Sequence, residues 1–230
     1  HRHEGADDDD AVVTETPLLA VDAFVLDCRA PWPAALLLSR RSVVKYQLAF
    51  RRVFRAKRVE RRLLSCWTDQ QASKRWCGRG ATRSALAPAF LLRQRMLHFA
   101  QSLVFYATSD VVGARWAGLE EELRRAPHVD AALAAHDAFL DAVLRDLLLA
   151  NHRLLGLVAD LERSCDRFCD AADRFSEAAL DAATAAARRA GVAPGARAAL
   201  AETTLTAALP AYVDGVRAAG ASWRRLAGQF

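Results

Sequence analysis

The sequence predicts an all-α protein, an elongated bundle of about six helices. Three observations carry that prediction. Apolar residues recur at steps of three and four over most of the chain. Glycine and proline, 11 and 7 in 230 residues, fall mainly at the borders of those periodic stretches. Only one short segment, Val21 to Cys28, alternates in the manner of a strand, and a single strand or hairpin is expected there. The length allows one or two domains and a real core, and 53% hydrophobic with 26% charged residues excludes a disordered or fibrous chain.

Residues 1–17 carry the acidic run Asp7 to Asp10 and little that can be buried, which predicts a flexible acidic tail ahead of a helical domain over 18–230. The opening residue is His1 rather than Met, and the chain reads as a piece of a longer one. After Pro31-Trp32-Pro33 the period becomes helical, with Pro33 suited to a first helical position and Ser39 to a fresh cap. Tyr46, Phe50, Val53, Ala56, Val59, Leu63 and Cys66 form the expected core stripe of a long helix. The polar stretch Thr68 to Ser84, with Gly78 and Gly80, reads as a loop.

Leu92, Met96, Phe99, Leu103 and Tyr106 mark the next helix, and Val112, Trp116, Leu119 and Leu123 a shorter one that ends before Pro127. Val129, Leu133, His136, Leu140, Val143 and Leu147 define another, followed by Asn151 as an N-cap. Leu154, Val158, Leu161, Cys165, Phe168, Ala172, Phe175 and Ala179 then run for more than three heptads until Gly191 and Pro194 break the pattern. The last amphipathic segment runs from Leu205 to Leu226, with a kink expected at Pro210.

No constellation of catalytic residues is visible: no nucleophile with a base, no paired His at helical spacing, no phosphate-binding glycine loop. Gly78-Arg79-Gly80 lacks the flanking strand and helix of a nucleotide fingerprint. The chain is therefore expected not to be an enzyme, and neither a cofactor nor a metal is implied. His136 falls on an apolar stripe and is expected to be a hydrogen-bonded packing residue. The five cysteines (Cys28, Cys66, Cys77, Cys165, Cys169) have no CxxC spacing and read as reduced core thiols. No apolar run approaches the roughly 18 residues of a membrane-spanning helix.

Charge is the anomaly. Between Arg40 and Arg62 ten basic residues face Glu60 alone, so this segment is +9 in a chain whose total is +5. Either acids on neighbouring helices balance it, or it meets an acidic partner, a nucleic acid or an anionic membrane. The aromatic residues of the segment lie on the expected core stripe instead of interleaving the basic face, which disfavours base stacking and favours a protein partner.

Three ordered signatures add a resemblance. Asp27, Trp32-Pro33, Arg40-Arg41, Lys45-Tyr46-Gln47, Phe50-Arg51, Phe54, Lys57, Val59-Glu60-Arg61, Leu63 and Trp67 form the first. Leu92-Arg93-Gln94-Arg95-Met96-Leu97 with Phe99, Gln101, Tyr106, Trp116 and Leu119-Glu120 form the second. Val129-Asp130, Leu133, His136, Phe139-Leu140-Asp141, Asn151 and Leu154-Leu155 form the third. Together they resemble the C-terminal grip region of gamma-tubulin complex components over about Val21 to Phe175, nearest the component-two branch, with Cys28 where the family usually has Tyr.

The resemblance implies a non-catalytic helical domain that binds gamma-tubulin and helps to seed microtubules in the cytoplasm, at a microtubule-organising centre or spindle pole. It implies that other complex components are met through a region N-terminal to this piece, and that any GTP belongs to the bound tubulin. Because tubulins are acidic, the basic segment is the expected contact, through Arg40, Arg41, Lys45, Arg51, Arg52 and Arg55. Trp32, Tyr46, Phe50, Phe54, Met96, Phe99 and Tyr106 are expected to hold the bundle together. A basic helical module for nucleic acid or anionic membrane is the alternative reading.

Overall fold

The computed structural model describes residues 23–74, 81–188 and 194–229. Among them the architecture is six α-helices: α1 (Arg40–Lys74), α2 (Ala81–Phe105), α3 (Ala114–Arg125), α4 (Val129–Asp146), α5 (His152–Arg188) and α6 (Pro194–Ala227). A 3-10 turn, Ala34–Leu36, precedes α1, and a π-helical stretch, Tyr106–Gly113, joins α2 directly to α3. The acidic tail and the glycines Gly78 and Gly80 lie outside the described residues.

The expected strand does not form among the described residues: residues 24–30 are irregular. Among the described residues no neighbouring strand offers them a ladder, and the segment is held by side chains instead. Phe24 covers the stacked pair Phe50 and Phe54, whose centroids are 5.3 Å apart, and the Leu26 carbonyl accepts a hydrogen bond from Gln47. Helix also covers both ends of the loop expected over Thr68 to Ser84, because α1 continues to Lys74 and α2 begins at Ala81, and the residues between lie outside those described. Trp32 sits in the irregular approach to α1, 81% exposed, and contributes nothing to the core.

The caps read from the sequence are in place. The Ser39 hydroxyl accepts from the Ser42 amide at 3.2 Å and the Asn151 side chain from the Leu154 amide at 3.1 Å. The end of α4 carried no such sign. There Leu148 takes a left-handed conformation (φ 67°), and the Leu148 and Leu149 amides bond back to the Arg145 and Leu144 carbonyls. This is the Schellman closure that glycine usually supplies.

Two clusters make the core. The larger joins α1, α2, α5 and α6 through Val59, Leu63, Met96, Cys165, Phe168 and Val216. The smaller joins the first half of α1 to the π-helical stretch, α3 and α4 through Ala49, Val111, Leu119, Phe139 and Leu140. Contacts between α5 and α6 run in opposite directions, from Ser164–Ser222 through Ala171–Gly215 to Phe175–Tyr212, so this pair is antiparallel. Gly215 permits the close approach: a Cβ there would stand 3.0 Å from that of Ala171. The expected heptad stripe of α5 is buried from its second member on, with Val158, Leu161, Cys165, Phe168, Ala172, Phe175 and Ala179 all in the core and Leu154 half-buried.

Candidate functional site

The basic segment occupies the first two thirds of α1. Its fully buried stripe is Lys45, Ala49, Arg52, Ala56, Val59, Leu63, Cys66 and Gln70, alternating steps of four and three. The expected stripe began instead at Tyr46, Phe50 and Val53, which are only half-buried. Two cations thus sit at core positions, where water no longer solvates them, and each has carboxylates brought to it by another helix.

Lys45 reaches α4, placing Nζ 2.6 Å from Asp137 and 2.5 Å from Asp141. Burial pulls the Lys45 ammonium down, but the hydrogen bonds to Asp137 and Asp141 outweigh it and hold the group above its ordinary value. The same hydrogen bond from Lys45 holds Asp137 below the usual carboxylate range. Next to this pair the Tyr46 hydroxyl meets His136 Nε2 at 2.9 Å, so His136 is the hydrogen-bonded packing residue that its position predicts. Burial holds the pKa of the His136 ring below its ordinary value.

Arg52 reaches α5 and pairs with Glu162 at 2.8 Å, both side chains at most 6% exposed. Burial pushes the Glu162 carboxyl up, and Arg52 only partly pulls it back. Further along, Arg58 bonds Asp166 at 3.1 Å, and Arg62 bonds Asp166, Asp170 and Asp173 at 2.8, 2.7 and 3.1 Å. Residue numbers rise together on both helices, so α1 and α5 run parallel along an ion-pair seam. Much of the +9 is balanced internally.

The six arginines and lysines singled out from the sequence therefore divide. Lys45 and Arg52 face inward. Arg55 is half-buried and engaged within the fold. Arg40 is exposed and touches Asp27 at 3.3 Å, while Arg41 and Arg51 are exposed. Sequence reasoning missed the apolar residues between them: Val44 and Leu48, each 41% exposed, share the outer face of α1 with Arg40, Arg41 and Arg51. Steps of three and four from Arg40 or Arg41 through Val44 and Leu48 to Arg51 contain that face, and it becomes visible once Lys45 and Arg52 are assigned to the core.

Among the described residues no cluster of three or more His, Cys, Asp or Glu could hold a metal ion, and no helix is long and apolar enough to cross a membrane. Cys66, Cys165 and Cys169 are buried free thiols, whereas Cys28 is exposed. Burial pushes the Cys165 thiol up to about 12. What the fold presents is a surface of arginines and aliphatic side chains, suited to association with another macromolecule.

Comparison with known proteins fits that geometry. The family model for the gamma tubulin complex component C-terminal region matches residues 3–229. Gamma-tubulin complex component 2 of Mus musculus is 36% identical over 166 residues, covering 71% of this chain and 18% of that protein. Spindle pole body component alp4 of Schizosaccharomyces pombe is 32% identical over 151 residues, covering 64% and 19%. Gamma-tubulin complex component 3 homolog of Xenopus laevis is 28% identical over 163 residues, covering 70% and 18%. The chain thus spans about a fifth of the length of the curated relatives it matches.

Proposed function

The chain belongs to the gamma-tubulin complex component family, to its C-terminal region, and from that membership we propose that it is a non-catalytic module that binds gamma-tubulin in microtubule nucleation. The family match over residues 3–229 is the observation that carries this reading. The place of action is a microtubule-organising centre or spindle pole, as the name of the fission-yeast relative suggests. Other complex components are met through a region N-terminal to this piece, with residues 18–230 forming the gamma-tubulin-binding domain.

Nucleation is slow because the first subunits lose translational and rotational freedom before enough contacts exist to hold them. A module that fixes gamma-tubulin within a larger assembly removes that cost in advance, as multivalent presentation does generally. Such a role needs a rigid surface and no reacting group.

The contact runs along the outer face of α1. Arg40, Arg41 and Arg51 steer an acidic surface and set its orientation, while Val44 and Leu48 bury apolar area once the partner has docked. Lys45 and Arg52 support that face from below by fixing α1 against α4 and α5. The apolar residues among the arginines favour a protein surface over a nucleic-acid backbone.

Charge reversal tests the face. Arg40→Glu, Arg41→Glu and Arg51→Glu together should weaken gamma-tubulin binding by about 1–3 kcal/mol and reduce its salt dependence, with helicity unchanged. Unchanged affinity would remove α1 as the contact.

A further inference from the structure

A second surface lies away from the outer face of α1. An open groove of about 590 Å³ is formed where α2 passes the last turns of α6, within the size range of ligand sites. Phe99 of α2, Leu161 of α5 and Ala227 of α6 give it apolar walls.

Its polar lining is rich in donors and poor in acceptors. The oxygen of Gln94 already accepts from Arg93 at 3.3 Å, so the end left for an occupant is the amide N–H₂. Arg95 can only donate, and His98 and Ser102 along the same helix can each donate. Trp223, on the facing wall, has an indole N–H that is out of water and has no acceptor. A donor withdrawn from water without a partner is costly, and proteins rarely leave one so.

The rim carries uncompensated positive charge. Arg95, on the groove wall, makes no ion pair among the described residues, nor does Arg224, which follows the lining residue Trp223 and brings a guanidinium nitrogen within 3.8 Å of where a Cβ of Gly220 would stand. The acids on either side of Leu161 are both taken, Asp160 by Arg163 and Glu162 by Arg52.

We propose that this groove docks an acidic peptide segment of a partner protein, with a large apolar side chain between the α2 and α6 walls and carboxylate or carbonyl oxygens on Arg95 and the Trp223 indole. Apolar walls without charge would accept any greasy segment. The unpaired cations and the unpaired N–H select one rich in acceptors. This surface shares no residue with the face of α1 assigned above to gamma-tubulin, and it stands independently of that assignment.

The test uses the whole chain and a fluorescein-labelled peptide of about 12 residues, a length typical of groove-binding segments, with Leu and Phe on one face and Glu and Asp elsewhere. Fluorescence anisotropy should show binding, and an unlabelled copy of the peptide should shift the tryptophan emission of the chain but not that of its Trp223→Phe variant. Arg95→Glu with His98→Glu, both at the surface, should weaken binding by about tenfold or more. Trp223→Phe keeps a ring in the wall and removes only the donor, and should weaken it severalfold. Arg41→Glu with Arg51→Glu should leave it unchanged. No binding, unaltered binding by the Arg95/His98 variant, or equal binding of a Lys-substituted peptide or of duplex DNA would overturn the proposal.

Discussion

Arg52 on α1 and Glu162 on α5 meet at 2.8 Å in the interior, each side chain almost wholly removed from water. An ion pair in such a place gains little over apolar packing, but either ion left alone is expensive. Glu162→Ala should therefore cost about 3–5 kcal/mol of stability. Arg52→Met combined with Glu162→Leu should recover most of that loss, because both desolvation costs disappear together. Urea denaturation of the single and double variants checks this. A double variant as unstable as the single would mean that the pair, and not the packing it displaces, holds α1 to α5.

The same pair shows where the sequence was legible and where it was not. In α5 every position of the expected stripe from Val158 to Ala179 is apolar or Cys, so period and burial coincide there even though Glu162 and Ser164 are buried beside it. In α1, Lys45 and Arg52 occupy core positions, and a reading that places charge outside must shift the stripe onto Tyr46, Phe50 and Val53. Their acids lie about 90 to 110 residues away in the chain, beyond the reach of any local pattern. The basic site was thus recognised as a segment but not divided into inner and outer halves. Ser39 and Asn151 announced their caps, whereas Leu148 ends α4 in a conformation that no residue of its kind signals.

His136 gives the fold a pH dependence. Burial holds its pKa below 6.5, Asp137 opposing and Lys45 reinforcing that shift. A depressed pKa means stability that is fully present above pH 6.5 and is lost as pH falls through the folded value. For this one proton the slope is at most about 1.4 kcal/mol per pH unit. Urea midpoints between pH 8 and 5 should fall on the acid side, and His136→Gln should flatten the profile there. An equally steep profile in the variant would place the titrating group elsewhere.

Gly215 sets the α5–α6 distance. Gly215→Ala puts two Cβ atoms 3.0 Å apart and should destabilise by about 1–3 kcal/mol despite the better helix propensity of Ala. Adding Ala171→Gly relieves the contact and should return part of that loss. Thermal melts of the two variants measure it; no recovery in the pair would mean the strain lies against other neighbours.

The cysteines should label in order of exposure. In the folded protein a maleimide should modify Cys28 and leave Cys66, Cys165 and Cys169 untouched, since all three are buried and Cys165 is pushed up to about 12. Peptide mapping by mass spectrometry, before and after denaturant, separates the sites. Fast native labelling of Cys165 would show that the α5 seam opens readily.

Association with gamma-tubulin is measured most directly by size-exclusion chromatography with light scattering of the chain mixed with purified gamma-tubulin at physiological salt. A complex near 1:1 is expected, weakening as salt is raised and when Arg40, Arg41 and Arg51 are reversed in charge. A helical, monomeric chain that elutes apart from gamma-tubulin at every salt concentration would contradict it.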